Sequence, residues 1–213
     1  MTVTTRQTIV RKPFLRQPLH MAYISMFLVF WLYSALSTPD LTNWLTENIL
    51  TLSLLIFLVA FYNIFRFSDT SYTLIFLFLL LHVFGSQYQY SENPFGEWLQ
   101  HQLNHSRNHY DRLVHLGFGL LLSYPIHEVL LRGFNLNLIL SYLLPIELVL
   151  SLGAVYELAE WAVADLLYNG TEQGMDFLGM QGDIWDAQKD IGLGFLGSVI
   201  TISVTFLVRK VRG

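Results

Sequence analysis

Asp111 and His115 stand four residues apart, and Glu157 and Glu160 stand three apart. On a helix each pair shares one face, so each pair aims two proton-accepting or metal-ligating groups in one direction. Asp183, Asp186 and Asp190 follow at spacings of three and four, and they align if a helix begins ahead of Asp183. These residues are the candidate ligands of a divalent cation. Carboxylates with one or two imidazoles suit Mg, Mn, Ca or Zn, and His82 is a second imidazole at the same level. His115, Asp111, Glu157 and Glu160 are also the candidates for general acid–base work. Carboxylates crowded together disfavour one another's charged form. They need a cation, shared protons, or pairing with Arg107, Arg112 or Lys189. The alternative reading is a solvated rim of helix caps and ion pairs.

Other patterns carry less chemistry. His101, His105 and His109 step by four and would stripe an amphipathic surface helix beside Trp98, Leu99 and Leu103. His127, Glu128, Arg132 and Glu147 read as an ion-paired helix end. The run Gly192–Gly197 matches G-x-G-x-x-G but follows no strand, so a dinucleotide loop is excluded and no cofactor site is expected. Small residues there, Gly194 and Ser198 above all, let helices approach closely, and Gly117 and Gly119 read the same way. With no cysteine in the chain, disulfides, thiolate catalysis and cysteine-ligated zinc are excluded.

These groups need elements to hold them. The 213 residues are 53% hydrophobic and 13% charged, against about a quarter charged in soluble domains. Lipid is therefore the expected solvent and the bilayer the first partner. The formal charge of −4 shows no basic surface for nucleic acid. Apolar runs of about 20 residues read as membrane spans. They predict one all-α domain over residues 1–213, a polytopic bundle of about six transmembrane helices. The spans fall roughly at 19–37, 48–66, 70–87, 112–131, 145–166 and 190–208. Residues 134–166 read either as a short entry segment followed by a span or as one long helix kinked at Pro145. The first apolar run exceeds the 7–15 residues of a secretory leader, so it is expected to stay as an uncleaved helix. With both termini cytoplasmic, nine Lys and Arg fall inside and three outside, the positive-inside pattern. Under that topology the carboxylates and His115 gather at the outer ends of the last three spans.

At these residues the chain resembles the YjdF-type bacterial inner-membrane family, whose function is unknown. The resemblance rests on Tyr88–Trp98 (YQYSENPFGEW), Arg107–Gly119 (RNHYDRLVHLGFG), Pro125 to Glu128, Tyr156–Trp161 (YELAEW) and 177–190 (FLGMQGDIWDAQKD). It covers the C-terminal half to two-thirds; Ile191 departs from a Met expected after the last Asp. More distantly, the order Asp111-Arg112…His115, Glu157…Glu160 and a late Asp before Gly192–Gly197 is similar to VanZ-like membrane proteins. The resemblance implies an inner-membrane location and the choice of residues, and it supplies no reaction.

Three functions fit. The first is an outward-facing polar site that binds a cation or an envelope-derived small-molecule or lipid ligand, with metal-assisted hydrolase or transferase chemistry. The second is a proton-coupled transporter that shares protons among Glu157, Glu160 and Asp183. The third is a non-catalytic scaffold.

Overall fold

The computed structural model describes residues 16–166, 169, 171, 174 and 178–212. Arg6, Arg11 and Lys12, counted among the nine inner Lys and Arg, and Phe177, the first residue of the 177–190 motif, lie outside the described residues. Among the described residues, six helices are long and apolar enough to cross a membrane. They are α1 (Pro18–Ser37), α2 (Leu41–Phe61), α3 (Asp69–Ser86), α5 (Tyr110–Glu128), α6 (Leu138–Leu166) and α7 (Asp186–Arg212), with a short α4 (Pro94–Leu103) between the third and fourth crossings. The chain is an all-α polytopic membrane bundle.

Each start has a local cause. Pro18 occupies the first turn of α1, where its missing N–H is no loss. The Asp40 carboxylate accepts from the Asn43 amide at 3.0 Å and opens α2. Ser68 Oγ accepts from the Ser71 amide at 3.3 Å and opens α3. Asn93 Oδ1 accepts from the Phe95 and Gly96 amides and opens α4. Side-chain acceptors of this kind satisfy donors that a helix leaves unpaired.

Two spans differ from their expected bounds in ways that matter. The apolar window of the second began at residue 48, but the Asp40 cap starts the helix at Leu41, so Asn43, Trp44 and Glu47 lie inside it. Residues 138–166 form one helix rather than an entry segment plus a span. Pro145 has no N–H for the carbonyl of Ser141, four residues earlier. His127 Nδ1 bonds that carbonyl instead, at 2.6 Å, and stacks on Tyr142 at 4.6 Å. A helix in lipid survives such a break when a neighbour re-satisfies the freed group.

Contacts between helix ends set the direction of each crossing. At one end Asp69, which begins α3, meets His20 of α1, and Glu128, which ends α5, meets Ser68. At the other end Gln87 bonds Ser37 and Thr38, and Arg107 meets Asp186. Residues 16 and 212 thus share one end, called here the terminal end. The heart of the bundle is the α5–α7 pair. A Cβ on Gly119 would strike the backbone of Gly194 and Ser198, and one on Gly197 would strike that of Leu116 and Leu120. Ser123 Oγ donates to Ser198 Oγ at 2.7 Å. The expected small-residue seam is present, while Gly117 makes room for Leu81 of α3 instead.

Candidate functional site

The end opposite the termini holds three polar layers. The innermost joins α5 and α7. Asp111, His115 and Asp190 each offer one ligand atom, and these atoms lie within 4.8 Å of one another. Helical spacing puts Asp111 and His115 on one face, with His115 Nε2 3.6 Å from Asp111 Oδ1. Glu157 of α6 reaches in from the third side, its Oε1 3.3 Å from the same nitrogen. Asp190 is 1% exposed. Its Oδ1, like Glu157 Oε1, is buried with no hydrogen-bond partner among the described residues. A buried carboxylate oxygen without a donor is costly. Two ligands about 2.1 Å from one ion stand about 3.0–3.4 Å apart at tetrahedral or octahedral angles. The 3.3 and 3.6 Å separations are close to that. The donor types, and the two separations at His115, suit a divalent cation.

The second layer is an ion-pair network that claims the other two aspartates. Asp186 begins α7 and takes Arg107 at 2.7 Å and Arg112 at 3.1 Å. Asp183 precedes the helix, so the three aspartates do not form one helical stripe. It pairs with Arg112 and Lys189, each at 2.5 Å, and accepts from the Trp185 amide at 3.1 Å. Lys189, that amide and Arg112 hold its carboxyl well below the usual carboxylate range. Arg107 also donates to the Met180 and Gly179 carbonyls, and Gln181 exchanges two hydrogen bonds with the Asn108 backbone. The loop ahead of α7 is thereby fastened to the start of α5.

The third layer joins Glu160 and His82, both expected near this end, to Glu47, which the sequence reading left ahead of the second span and missed. The Glu47 side chain is buried and accepts from the Tyr156 hydroxyl at 3.0 Å. Glu160 stands four residues after Tyr156 on α6 and so shares its face, and the Tyr156 ring sits edge-on to His115 at 5.7 Å. His82 Nε2 lies 3.3 Å from the Glu47 carbonyl. A carbonyl only accepts, so Nε2 carries the hydrogen and donates to it. His82 Nδ1 is 2.7 Å from the Tyr90 hydroxyl, and burial pushes that phenol well above its ordinary pKa. The overlooked signal is the stripe Asn43, Trp44, Glu47, Asn48, Thr51, all buried in α2 at helical spacing.

The remaining candidates go elsewhere. The histidine stripe does not form: Asn104 turns left-handed (φ 53°) and ends α4 after His101. His105 and His109 meet edge to face, with ring centres 5.0 Å apart. Desolvation and the nearby Arg112 lower the His109 pKa. Glu128 is buried and accepts from the Ser68 amide, Ser68 Oγ and Ser71 Oγ, and Arg132 pairs with it. That end is an ion-paired helix end as expected, but Glu147 is exposed on α6 and takes no part.

A family model described as "Predicted membrane protein (DUF2238)" matches residues 19–211. The chain is 35% identical over 180 residues to the inner membrane protein YjdF of Escherichia coli (strain K12), spanning 84% of this chain and 83% of that one. These findings bear out the resemblance to the YjdF-type family. No solved structure matches the chain.

Proposed function

We propose that this chain, which belongs to the DUF2238 family of predicted membrane proteins, binds a divalent cation between α5, α6 and α7. Asp111, His115 and Asp190 are its ligands and Glu157 the fourth donor. The observation that carries this reading is the buried Asp190 Oδ1, which has no hydrogen-bond partner among the described residues and lies against two further ligand atoms. A cation held there supplies a Lewis acid and an acidified water. Glu157, beside His115, is the nearest proton acceptor. Glu160, Glu47 and Tyr156 line the next layer, where they can hold a proton.

The location follows from charge and from the relative. YjdF of Escherichia coli is named an inner membrane protein, and we assign this chain to the same membrane. Of the nine described Lys and Arg, six lie on the terminal side (Arg16, Arg66, Arg132, Arg209, Lys210 and Arg212), which supports cytoplasmic termini and an outward-facing site. Trp98, Trp161 and Trp185 are exposed at the site end, as expected of side chains that sit at a membrane–water boundary. The ligand class this favours is a small molecule or lipid headgroup met at the outer surface, processed by metal-assisted hydrolysis or transfer.

Elemental analysis of the purified protein tests the reading. We expect one divalent metal per chain, lost in the double variant Asp190→Asn/His115→Ala. Stoichiometric metal retained in that variant sinks the proposal. A lower melting temperature with no change in metal content would instead support a scaffold.

One observation favours a second reading. The Tyr156 hydroxyl donates to Glu47 at 3.0 Å, and Glu160 lies one turn further along the same face of α6. A phenol donates one hydrogen bond, and it goes to Glu47, so Glu160 beside it is a carboxylate that can carry a proton. That is the element a proton-coupled carrier needs. Proton-driven flux in proteoliposomes, abolished by Glu160→Gln, would establish it; against it, the polar groups lie at one end rather than at the midplane.

A further inference from the structure

One carboxylate lies at neither end of the bundle. Glu147 of α6 falls between Tyr142, whose ring meets Phe206 edge-on at 5.6 Å, and Val149, which lies against Gly194. Phe206 and Gly194 belong to α7, and the midpoint of that 27-residue helix falls between them. Glu147 is therefore level with the middle of α7, about 20 Å along the axis from either end. In a hydrocarbon core about 30 Å thick, the middle is roughly 15 Å from either edge. A glutamate side chain does not reach that far.

Glu147 does not face the bundle either. Pro145, Val149 and Gly153 are buried on α6. Glu147 stands two residues from both Pro145 and Val149, turned roughly 200° from each, and it is exposed. Among the described residues it has no ion-pair partner. Ionisable side chains within a span almost always face a bundle interior or a water-filled cavity. Glu147 does so once another helix covers this face.

The same face describes the helix that would cover it. Leu140, Leu144, Glu147, Ser151, Ala154 and Leu158 follow one another at alternating steps of four and three. That is the repeat by which two helices pack as a left-handed coiled pair. Each of the six is exposed or half-buried. Ser151 and Ala154 are small, and small side chains let helix backbones approach closely in a membrane. Only one of the six is ionisable. In a parallel pair each level of the seam meets its own counterpart, so a single polar position pairs with itself and fixes the register. Two copies of one chain cross a bilayer in the same direction and supply such a pair. In its acid form a carboxyl both donates and accepts, so two at one depth satisfy each other.

We propose that α6 pairs with α6 of a second copy of this chain, about a two-fold axis along the membrane normal, with the two Glu147 carboxyls hydrogen-bonded to each other at the bilayer centre. The contact uses none of the carboxylates of the cation site and does not depend on that site.

The chain has no cysteine, so single cysteines report on this contact without background. Leu140→Cys and Leu158→Cys lie on the seam; Val59→Cys lies on α2 and is 76% exposed. Each is made in the full chain, reconstituted in dilute proteoliposomes and treated with a short bismaleimide. We expect crosslinked dimers from the two seam variants and none from Val59→Cys. Photobleaching steps of labelled chains in the same bilayers measure the association constant. Glu147→Leu should lower it about tenfold, as loss of an interhelical hydrogen bond in a membrane allows. Glu147→Gln, whose amide donates and accepts, should keep it. A wild type that bleaches in one step at every protein density overturns the proposal. So do equal crosslinking at Val59 and Leu158, and undiminished pairing in Glu147→Leu. A Leu158→Cys adduct in native membranes to a different chain, with none to a second copy, overturns it as well and makes the cover a foreign helix. The seam cysteines retain Glu147, so they test the contact even where Glu147→Leu fails to fold.

Discussion

The bundle has a polar cluster at each end, and the two are satisfied differently. At the terminal end the Glu128 carboxylate is surrounded by donors: the Ser68 amide, two serine hydroxyls and Arg132. It acts as an N-cap for α3 supplied from another helix. At the opposite end Asp190 keeps a buried oxygen with no hydrogen-bond partner among the described residues, and Glu157 Oε1 meets His115 Nε2 at 3.3 Å without a formed hydrogen bond. This is so although Arg107 and Arg112 are close enough to hold Asp186. Ionisable groups in a membrane are costly in both places. One cluster recovers the cost within the fold, and the other leaves part of it for a ligand to recover. A carboxylate in a membrane bundle is therefore better sorted by its partners than by its burial.

Like-for-like amide substitutions break that comparison most directly. Glu128→Gln places an NH₂ group against donors that need an acceptor, and it should destabilise the protein by about 3 kcal/mol. Asp190→Asn removes a buried charge that lacks a donor. In metal-free protein it should be neutral within about 1 kcal/mol, or stabilising. Thermal melting in detergent with chelator present measures both. An Asp190→Asn loss as large as that of Glu128→Gln would make the two clusters equivalent and remove the case for a ligand.

His127 sharpens the account of the satisfied end. His127→Phe keeps the stack on Tyr142 but leaves the Ser141 carbonyl of α6 without its donor, a cost of about 1–2 kcal/mol. Pro145→Ala restores an N–H four residues on. In that background the histidine should be nearly dispensable. A double-mutant cycle reads this as a coupling between the two sites; additive losses would refute it.

Much of this was legible in residue spacing. The Asp111–His115 pair, the Glu157–Glu160 pair and the α5–α7 small-residue seam follow from helical periodicity once the spans are drawn. What escaped was set by tertiary pairing. Asp186 and Asp190 stand four apart on one helix, yet Arg107, 79 residues from Asp186 in sequence, takes the first and leaves the second. Glu47 escaped because hydropathy scores a buried polar stripe as loop, and the Asp40 cap that begins the helix is a single residue. The continuity of α6 through Pro145 rests on His127, a residue of a different helix, which no reading of residues 134–166 alone contains.

The smallest effect expected is at Asp183, on the solvent side of the unsatisfied cluster. Lys189, the Trp185 amide and Arg112 depress its pKa. The folded state therefore binds a proton there less readily than the unfolded chain does. Its contribution is complete above the unfolded carboxylate pKa of about 3.9 and is lost as pH falls through the depressed folded value. Wild type and Asp183→Asn should differ in melting temperature at pH 6 and converge as pH drops below about 4. Salt screens surface pairs, so the gap at pH 6 should shrink at high ionic strength. A gap that survives both acid and salt would mean that Asp183 acts through the amide it caps rather than through its charge. The outer network would then be a hinge for the loop ahead of α7 rather than an electrostatic rim.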